Sequence, residues 1–174
     1  PNYVDASGYT KNLRARSKVG EDKTEVSLAV YNIKKDTVYN VDTSTLPGIT
    51  DLPDYTEDYP DKEWEEKERE VIVSQAIFSE DGSKAIVNVR SKDNKDRWIA
   101  LLNLEDGSLE TLDRQRDEAW IAGPGIGWSF GGGTLGWLPD NKHIYFQSEA
   151  SGYSHLYLLD VTTGTKKALT EGEF

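Results

Sequence analysis

Residues 135–169 read LGWLPDNKHIYFQSEASGYSHLYLLDVTTGTKKAL and carry the clearest signal of the fold class. They contain an apolar strand, a turn rich in Pro, Asp and Asn, a second strand, a polar turn, a third apolar strand, a Gly turn and a short fourth strand. The same order recurs in VIVSQAIFSEDGSKAIVNVRSKDNKDRWIALLNLEDGSLETL, residues 71–112. Gly107 and Gly164, in the two Gly turns, lie 57 residues apart, so the chain repeats a four-strand unit.

An earlier unit is visible mainly in its second half. A strand that ends at Tyr31-Asn32-Ile33 precedes a polar turn and a return strand, and it lines up with Leu102-Asn103-Leu104. Repeats of this length with four strands each are typical of β-propeller blades. The sequence therefore predicts an all-β partial propeller of about three four-stranded antiparallel blades, with units at roughly residues 9–42, 71–113 and 134–170.

The third strand of each of the two later units is apolar throughout. Residues 98–102 read WIALL and residues 156–159 read LYLL. A strand with one exposed face would alternate, whereas a continuous apolar run indicates burial on both faces. Blades stacked side by side bury both faces of each sheet, so this pattern favours a propeller over a sandwich of two sheets.

Length sets a further expectation. Three units use up the 174 residues, whereas propellers have roughly four to eight blades. We therefore expect a piece of a larger protein. No signal peptide or membrane span is visible in the sequence. Unclosed blades leave edge strands and apolar faces without neighbours, so we also expect self-association, for example as a homo-oligomer whose blades complete each other's stack.

The composition excludes several classes of function. The absence of Cys removes disulfides and thiol chemistry, and a net charge of −11 argues against nucleic acid and anionic lipid as partners. Residues 51–70 hold ten acids and three bases, which gives −7 of that charge. Most of the negative charge therefore belongs to one insertion, residues 43–70, between the first and second units.

The acidic insertion begins as a Pro-rich loop over residues 43–60. Residues 60–70, PDKEWEEKERE, predict one short helix, because Pro suits a first turn and two i,i+4 ion pairs are available. These pairs are Glu63 with Lys67 and Glu65 with Arg69. Glu65 and Glu66 beside Trp64 could bind a cationic group such as a peptide α-amine; the alternative is a solvated helix that Trp64 anchors to the sheet.

Arg114 and Arg116 lie in the segment DRQRDEAW between the second and third units. Loops at blade ends often line a propeller face, so these arginines are candidates for binding a substrate carboxylate. The alternative is that they form salt bridges with nearby acids, namely Asp113, Asp117 or Glu118.

Neither nucleophilic catalysis nor a metal site is predicted. Ser129 lies in GWSFG, a formal match to the G-x-S-x-G nucleophile elbow, but a Gly-rich run and a strand follow it where the elbow needs a helix. His143 and His155 stand twelve residues apart, a spacing without zinc-site logic. We expect no catalytic residue, metal or cofactor here, and we expect His155 to tie neighbouring strands by a hydrogen bond.

Several residues of the third unit together resemble the N-terminal propeller of dipeptidyl peptidase IV-like serine peptidases. They are Trp137, Pro139-Asp140, Ile144-Tyr145-Phe146, Ser148-Glu149, Gly152, His155-Leu156-Tyr157, Gly164 and Leu169-Thr170-Glu171-Gly172. The resemblance implies a propeller above an α/β-hydrolase domain that carries the Ser, Asp and His outside this chain. It also implies a peptide substrate, whose amine the family holds with adjacent glutamates; Glu65-Glu66 is the only such pair here.

The resemblance thus implies a non-catalytic part of a serine exopeptidase that shapes the substrate cavity and positions short peptides. Many bacterial members of this family are periplasmic or secreted, and the same location is expected here. The alternative is a propeller similar to the TolB-type repeats, which would act as a protein-interaction or scaffold module without peptidase activity.

Overall fold

Three antiparallel sheets make up the computed structural model, which describes residues 6–11, 26–127 and 133–173. The first sheet consists of β1 (Ala29–Asn32) and β2 (Thr37–Asn40). The middle sheet has the order β3-β5-β6-β7, and β4 also pairs with β5. Its strands are β3 (Val71–Val73), β4 (Ile77–Phe78), β5 (Ala85–Ser91), β6 (Asp96–Leu102) and β7 (Leu109–Arg116).

The third sheet has the order β8-β9-β10-β11, each strand antiparallel to the next. The strands are β8 (Leu135–Trp137), β9 (His143–Ser148), β10 (His155–Asp160) and β11 (Lys166–Ala168). The predicted all-β fold of a partial propeller is confirmed. The boundaries of the three units stay predictions.

The acidic insertion holds its short helix at a different place from the predicted one. A 3₁₀ helix spans Asp54–Asp58, whereas residues 60–70 form no helix. The end of this segment instead bonds back to the loop at the start of the insertion, where the Arg69 N–H donates to the Ile49 carbonyl at 2.9 Å. The predicted pair of Arg69 with Glu65 is wrong, because Arg69 pairs with Asp93 and Asp96.

Two apolar layers flank the middle sheet. The layer toward the first sheet and the insertion contains Leu46, Ile49, Val87, Val89, Trp98 and Ala100, and the layer toward the third sheet contains Ile86, Ile99, Ile144, Phe146 and Leu159. In β6, every residue except Leu101 is buried. Burial on both faces, predicted from the run WIALL, is therefore confirmed for the middle sheet.

Burial on both faces is wrong for the third sheet. In β10 the side chains alternate: His155, Tyr157 and Leu159 are buried, whereas Leu156 and Leu158 are half-buried. The buried set faces the middle sheet. No sheet among the described residues covers the opposite face. The apolar residues Leu156 and Leu158 on that face are therefore only half-buried.

The middle and third sheets are also joined by polar contacts at their first turns. Trp137 Nε1 donates to the Ile77 carbonyl at 2.9 Å, and Lys84 Nζ donates to the Asn141 carbonyl at 3.1 Å. The Asp81 N–H donates to Asn141 Oδ1, also at 3.1 Å. These contacts fix the position of the third sheet relative to the middle sheet, beside the apolar layer between them.

The glycine at the third turn of the middle sheet is required by the backbone. Gly107 has φ +79°, and Gly164 in the corresponding turn of the third sheet has φ +70°, in the left-handed region that favours glycine. A Cβ on Gly107 would also lie 2.8 Å from the Asn40 carbonyl oxygen. This turn therefore packs directly on the end of β2.

In the parts of the chain that the structure describes, no helix is long and apolar enough to cross a membrane.

Candidate functional site

A buried carboxylate surrounded by three guanidinium groups lies where the acidic insertion meets the middle sheet. Asp96, the first residue of β6, is fully buried. Its Oδ2 lies 2.7 Å from Arg69 Nη1 and 2.6 Å from Arg116 Nη1, and its Oδ1 lies 2.8 Å from Arg114 Nε. We call these four residues the Asp96 cluster.

Strand geometry explains why two of the arginines meet the same carboxylate. Arg114 and Arg116 are two residues apart in β7, so their side chains point to the same face of the sheet. Arg116 stands directly opposite Asp96 in the antiparallel register, and Arg114 stands opposite Trp98. Arg69 reaches the cluster from the extended end of the insertion, just before β3.

Further carboxylates surround the cluster. Arg114 Nη2 lies 2.6 Å from Asp51 Oδ2, Arg116 donates to Glu118, and Arg69 Nη1 lies 3.3 Å from Asp93 Oδ2. The hydrogen bond from Arg114 lowers the pKa of Asp51 below its ordinary value. Burial works to lower the pKa of Arg114, but its hydrogen bonds with Asp96 and Asp51 outweigh burial and raise that pKa.

Arg69 of the cluster and the nearby Trp98 also donate hydrogen bonds to the backbone of the insertion. Arg69 Nη2 donates to the Gly48 carbonyl at 2.7 Å, and Trp98 Nε1 donates to the Pro47 carbonyl at 3.0 Å. A Cβ on Gly48 would lie 2.1 Å from Arg114 Nη1, so the loop approaches the guanidinium as closely as glycine allows. The cluster therefore fixes the insertion to the middle sheet.

The sequence-predicted arginines meet in this cluster, but with another main partner. Arg116 does pair with Glu118, one of the acids expected for it. Asp113 instead accepts hydrogen bonds from Lys166 and Gln115, and the Asp117 carboxylate accepts from the backbone N–H groups of Ala119 and Trp120. Whether Arg114 and Arg116 also bind a substrate carboxylate stays a prediction.

The predicted glutamates lie outside the cluster. Glu65 and Glu66 are exposed, and no ion pair within the described residues engages either carboxylate. The neighbouring Trp64 is half-buried, packs edge-on against Tyr55 with ring centroids 5.6 Å apart, and has Lys62 Nζ 3.7 Å from its ring centroid. Trp64 therefore packs among insertion side chains, with the two carboxylates beside it in solvent.

The remaining candidates have other roles or fall elsewhere. Ser129 lies outside the described residues. His143 Nδ1 lies 2.6 Å from Asp140 Oδ2. His155 Nε2 lies 2.9 Å from the Gly172 carbonyl oxygen, and its Nδ1 lies 3.2 Å from the Thr170 hydroxyl, so this ring makes hydrogen bonds, as expected. Within the described ranges, no group of three or more potential ligand side chains could hold a metal ion.

Sequence reasoning missed the centre of the cluster. Asp96 lies two residues before the apolar run of a buried strand, and a charged residue at such a position is buried only when it is paired. That rule could have marked Asp96 as paired. For its partner Arg69 the sequence predicts a local helical pair instead, because the contact across the fold has no signature in the sequence.

Comparison with known proteins gives a family and a similar fold. The sequence model of the family described as "Dipeptidyl peptidase IV (DPP IV) N-terminal region" matches residues 1–174. None of the curated proteins matches the chain. Among solved structures, a protein assigned as a dipeptidyl aminopeptidase IV from Bacteroides ovatus is similar at 14% identity and a TM-score of 0.53, with 84% of this chain and 19% of that chain covered.

TolB from Acinetobacter baumannii is similar at 21% identity and a TM-score of 0.42, over 57% of this chain and 21% of that chain. At these identities the likeness to the Bacteroides protein concerns the fold alone. The chain spans about a fifth of the length of each of these solved chains.

Proposed function

The chain belongs to the dipeptidyl peptidase IV N-terminal region family, and from this premise we propose that it gates and positions peptide substrates for a hydrolase domain of the same protein. The parent protein would be a serine exopeptidase that acts on short peptides. The sheets would form a wall of the substrate cavity, exclude large folded proteins and hold the peptide amine. Bond cleavage would belong to the hydrolase domain.

The observation that carries this proposal is a set of exposed glutamates on an anchored segment. Glu65 and Glu66 are exposed and form no ion pair within the described residues, while Arg69, a few residues on, is fixed to the buried Asp96 at 2.7 Å. A carboxylate without a cation of its own is available for a ligand amine. An anchored backbone lowers the entropy lost when that carboxylate is used.

The arginines have a supporting role in this proposal. Arg114 and Arg116 each donate to the Asp96 carboxylate, and Arg114 also reaches Asp51 of the insertion. A guanidinium fork shared between two carboxylates makes strong, directional contacts. These two side chains would therefore determine where the insertion lies, and through it where the glutamates stand.

The test uses the full-length protein and a dipeptidyl p-nitroanilide with a free α-amine. Glu65→Gln and Glu66→Gln should each raise KM at least about tenfold, because a hydrogen bond to a charged group contributes about 1.5–3 kcal/mol. The kcat value should change little, because the amine stays bound through the reaction. The matched control is Glu80→Gln, an exposed acid in the first turn of the middle sheet.

An N-acetylated version of the substrate sharpens the test. Without the cation, wild type and both glutamine variants should have the same KM. Equal KM values for the free-amine substrate in all variants would contradict the amine site, whereas a full-length protein without any peptidase activity would contradict the function and favour the scaffold alternative. The 174-residue chain alone should hydrolyse no dipeptidyl substrate.

A periplasmic or secreted location belongs to the same proposal, because it rests on the family alone. Fractionation of cells that express the full-length protein tests it. Recovery with the cytoplasmic fraction would contradict it.

A further inference from the structure

An open groove follows the outer strands of the third sheet, and no residue of the acidic insertion lines it. It has a volume of about 520 Å³, a size typical of sites for small organic groups. His155 and Tyr157 contribute rings to its wall from one face of β10, because alternate residues of a strand point the same way. Tyr153, two residues before β10, adds a third ring. The wall is therefore partly aromatic.

The same groove carries two carboxylates. Glu171 and Glu173 supply them, and there is no Lys or Arg among the described residues that line it. Both glutamates are exposed, and none of the ion pairs within the described residues engages either carboxylate. A concave surface with acids and without a cation of its own attracts a positively charged ligand.

The two lysines of β11 do not neutralise these carboxylates. Lys166 Nζ lies 2.5 Å from Asp113 Oδ1, an acid of the middle sheet. Lys167 stands opposite Leu158, so it lies on the face of the third sheet that points away from Tyr157. Neither lysine lines the groove. The negative charge of its wall is therefore not compensated by the adjacent strand.

The imidazole in the groove makes hydrogen bonds that suit a neutral ring. His155 Nε2 lies 2.9 Å from the Gly172 carbonyl oxygen, so this nitrogen is the donor. The Thr170 hydroxyl accepts from the Leu156 N–H at 3.0 Å and lies 3.2 Å from His155 Nδ1, so its own proton can be donated to Nδ1. This arrangement fits an imidazole protonated on Nε2 alone, which adds no positive charge to the wall.

One of the three rings is available to a ligand. Tyr153 is 44% exposed and packs against His155 with ring centroids 6.5 Å apart. Tyr157 is only 9% exposed, stacks on Phe146 and has Lys166 Nζ 5.5 Å from its ring centroid. Tyr153 is therefore the ring on which a cation from outside could lie.

We propose that this groove binds the basic side chain, lysine or arginine, of a peptide. The aliphatic part of such a side chain would pack on Tyr153 and Ala168, and its cation would lie between the ring and the carboxylates of Glu171 and Glu173. Charge complementarity selects the cation, and the length of the groove accommodates the stem that carries it. The site is separate from the glutamates proposed for the substrate amine.

The experiment titrates the full-length protein with the N-acetyl methylamides of arginine, lysine and citrulline and follows binding by ligand-observed NMR. Both ends of these ligands are blocked, so none presents an α-amine. Citrulline has nearly the shape of arginine without its charge. The better of the two cationic ligands should bind about fivefold more tightly than the citrulline compound, since exposed ion pairs contribute modestly. Equal affinities of the three ligands would overturn the proposal.

Variants at exposed positions locate the site. The double variant Glu171→Gln with Glu173→Gln should abolish the preference for the cationic ligands. Tyr153→Ala should weaken their binding about threefold, whereas Tyr153→Phe should leave it unchanged because the ring remains. The matched control is Glu80→Gln, an exposed acid in the first turn of the middle sheet. A preference that survives the double variant, or that is lost equally in Glu80→Gln, would overturn the proposal.

Discussion

The middle and third sheets share one strand pattern but differ in what covers them. Ile99 of the middle sheet is fully buried, whereas Leu156, which occupies the same place 57 residues later, is half-buried. Likewise Ile86 is fully buried and Tyr145, 59 residues later, is half-buried. Both members of each pair lie on the face that points away from the preceding sheet.

The difference shows that a continuous apolar run does not by itself mean that both faces of a strand are buried within the described part of the chain. Leu156, Leu158 and Tyr145 form an apolar face for which the described residues contain no partner sheet. The middle sheet has partners on both sides and also carries the Asp96 cluster. Self-association through the open face stays a prediction, and light scattering that shows a monomer at high concentration would contradict it.

The largest expected effect comes from removal of the buried carboxylate in the middle sheet. Asp96→Ala should destabilise the protein by about 3–5 kcal/mol, because removal of one partner of a buried ion network leaves the others uncompensated. Three guanidinium groups would lose their common acceptor. Urea denaturation measures the change. The control is Asp61→Asn, an exposed acid of the insertion; similar losses in the two variants would mean that the cluster is not the cause.

The second prediction compares the equivalent apolar positions directly. Ile99→Ala should cost about 2–5 kcal/mol because it opens a cavity between two packed sheets. Leu156→Ala should cost about 1 kcal/mol, since that side chain is only half-buried. Denaturant midpoints of the two variants give the comparison. Equal losses would show that the outer face of the third sheet is covered in solution, which would reveal a partner for it.

The third prediction separates a close contact from backbone strain. Gly164→Ala should cost about 1 kcal/mol, because φ is +70° but no atom lies within 4 Å of the new Cβ. Gly48→Ala has the same φ and would also meet Arg114, so it should cost about 2–3 kcal/mol. Thermal unfolding of both variants measures the difference. Equal costs would mean that Arg114 moves aside freely.

The smallest expected effect concerns acid. The backbone N–H of His143, followed by its ring and the Lys142 N–H, lowers the pKa of Asp140 from 3.8 to about 2. Its stabilising contribution is fully present above about pH 4 and is lost as the pH falls toward 2. Asp140→Asn should therefore flatten the dependence of stability on pH in this range.

The matched variant is Asp81→Asn, in the corresponding turn of the middle sheet. The Ser83 N–H and then the Ser79 hydroxyl lower the pKa of Asp81 as well, but no imidazole contacts it. Its effect on the acid limb should be smaller. Urea midpoints at several pH values measure both slopes, and an unchanged slope in Asp140→Asn would contradict the assignment.

Much of the fold was predictable because its signals are local. The turn glycines Gly107 and Gly164 and the run WIALL identify strands, turns and buried positions within a few residues of themselves. The helix over residues 60–70 was misplaced because its evidence was also local. The competing contact of Arg69 with Asp96 joins segments that are distant in the sequence, and tertiary contacts of that kind override weak helical pairs.

The candidate site was predictable only in part. Arg114 and Arg116 were recognised as functional or paired from their position between two units, but their common acceptor lies on the neighbouring strand. Strand register, which brings Asp96 opposite Arg116, is set by the whole sheet and has no local signature.

The direction in which the sheets stack has a consequence for how the number of units can change by duplication. The middle sheet meets its predecessor with one set of side chains and its successor with a different set, so its two junctions join unlike surfaces. A junction of this type does not determine how many units the stack contains. Duplication of one unit could lengthen the stack without redesigning any existing junction, and the total number must be set by whatever closes or caps the series.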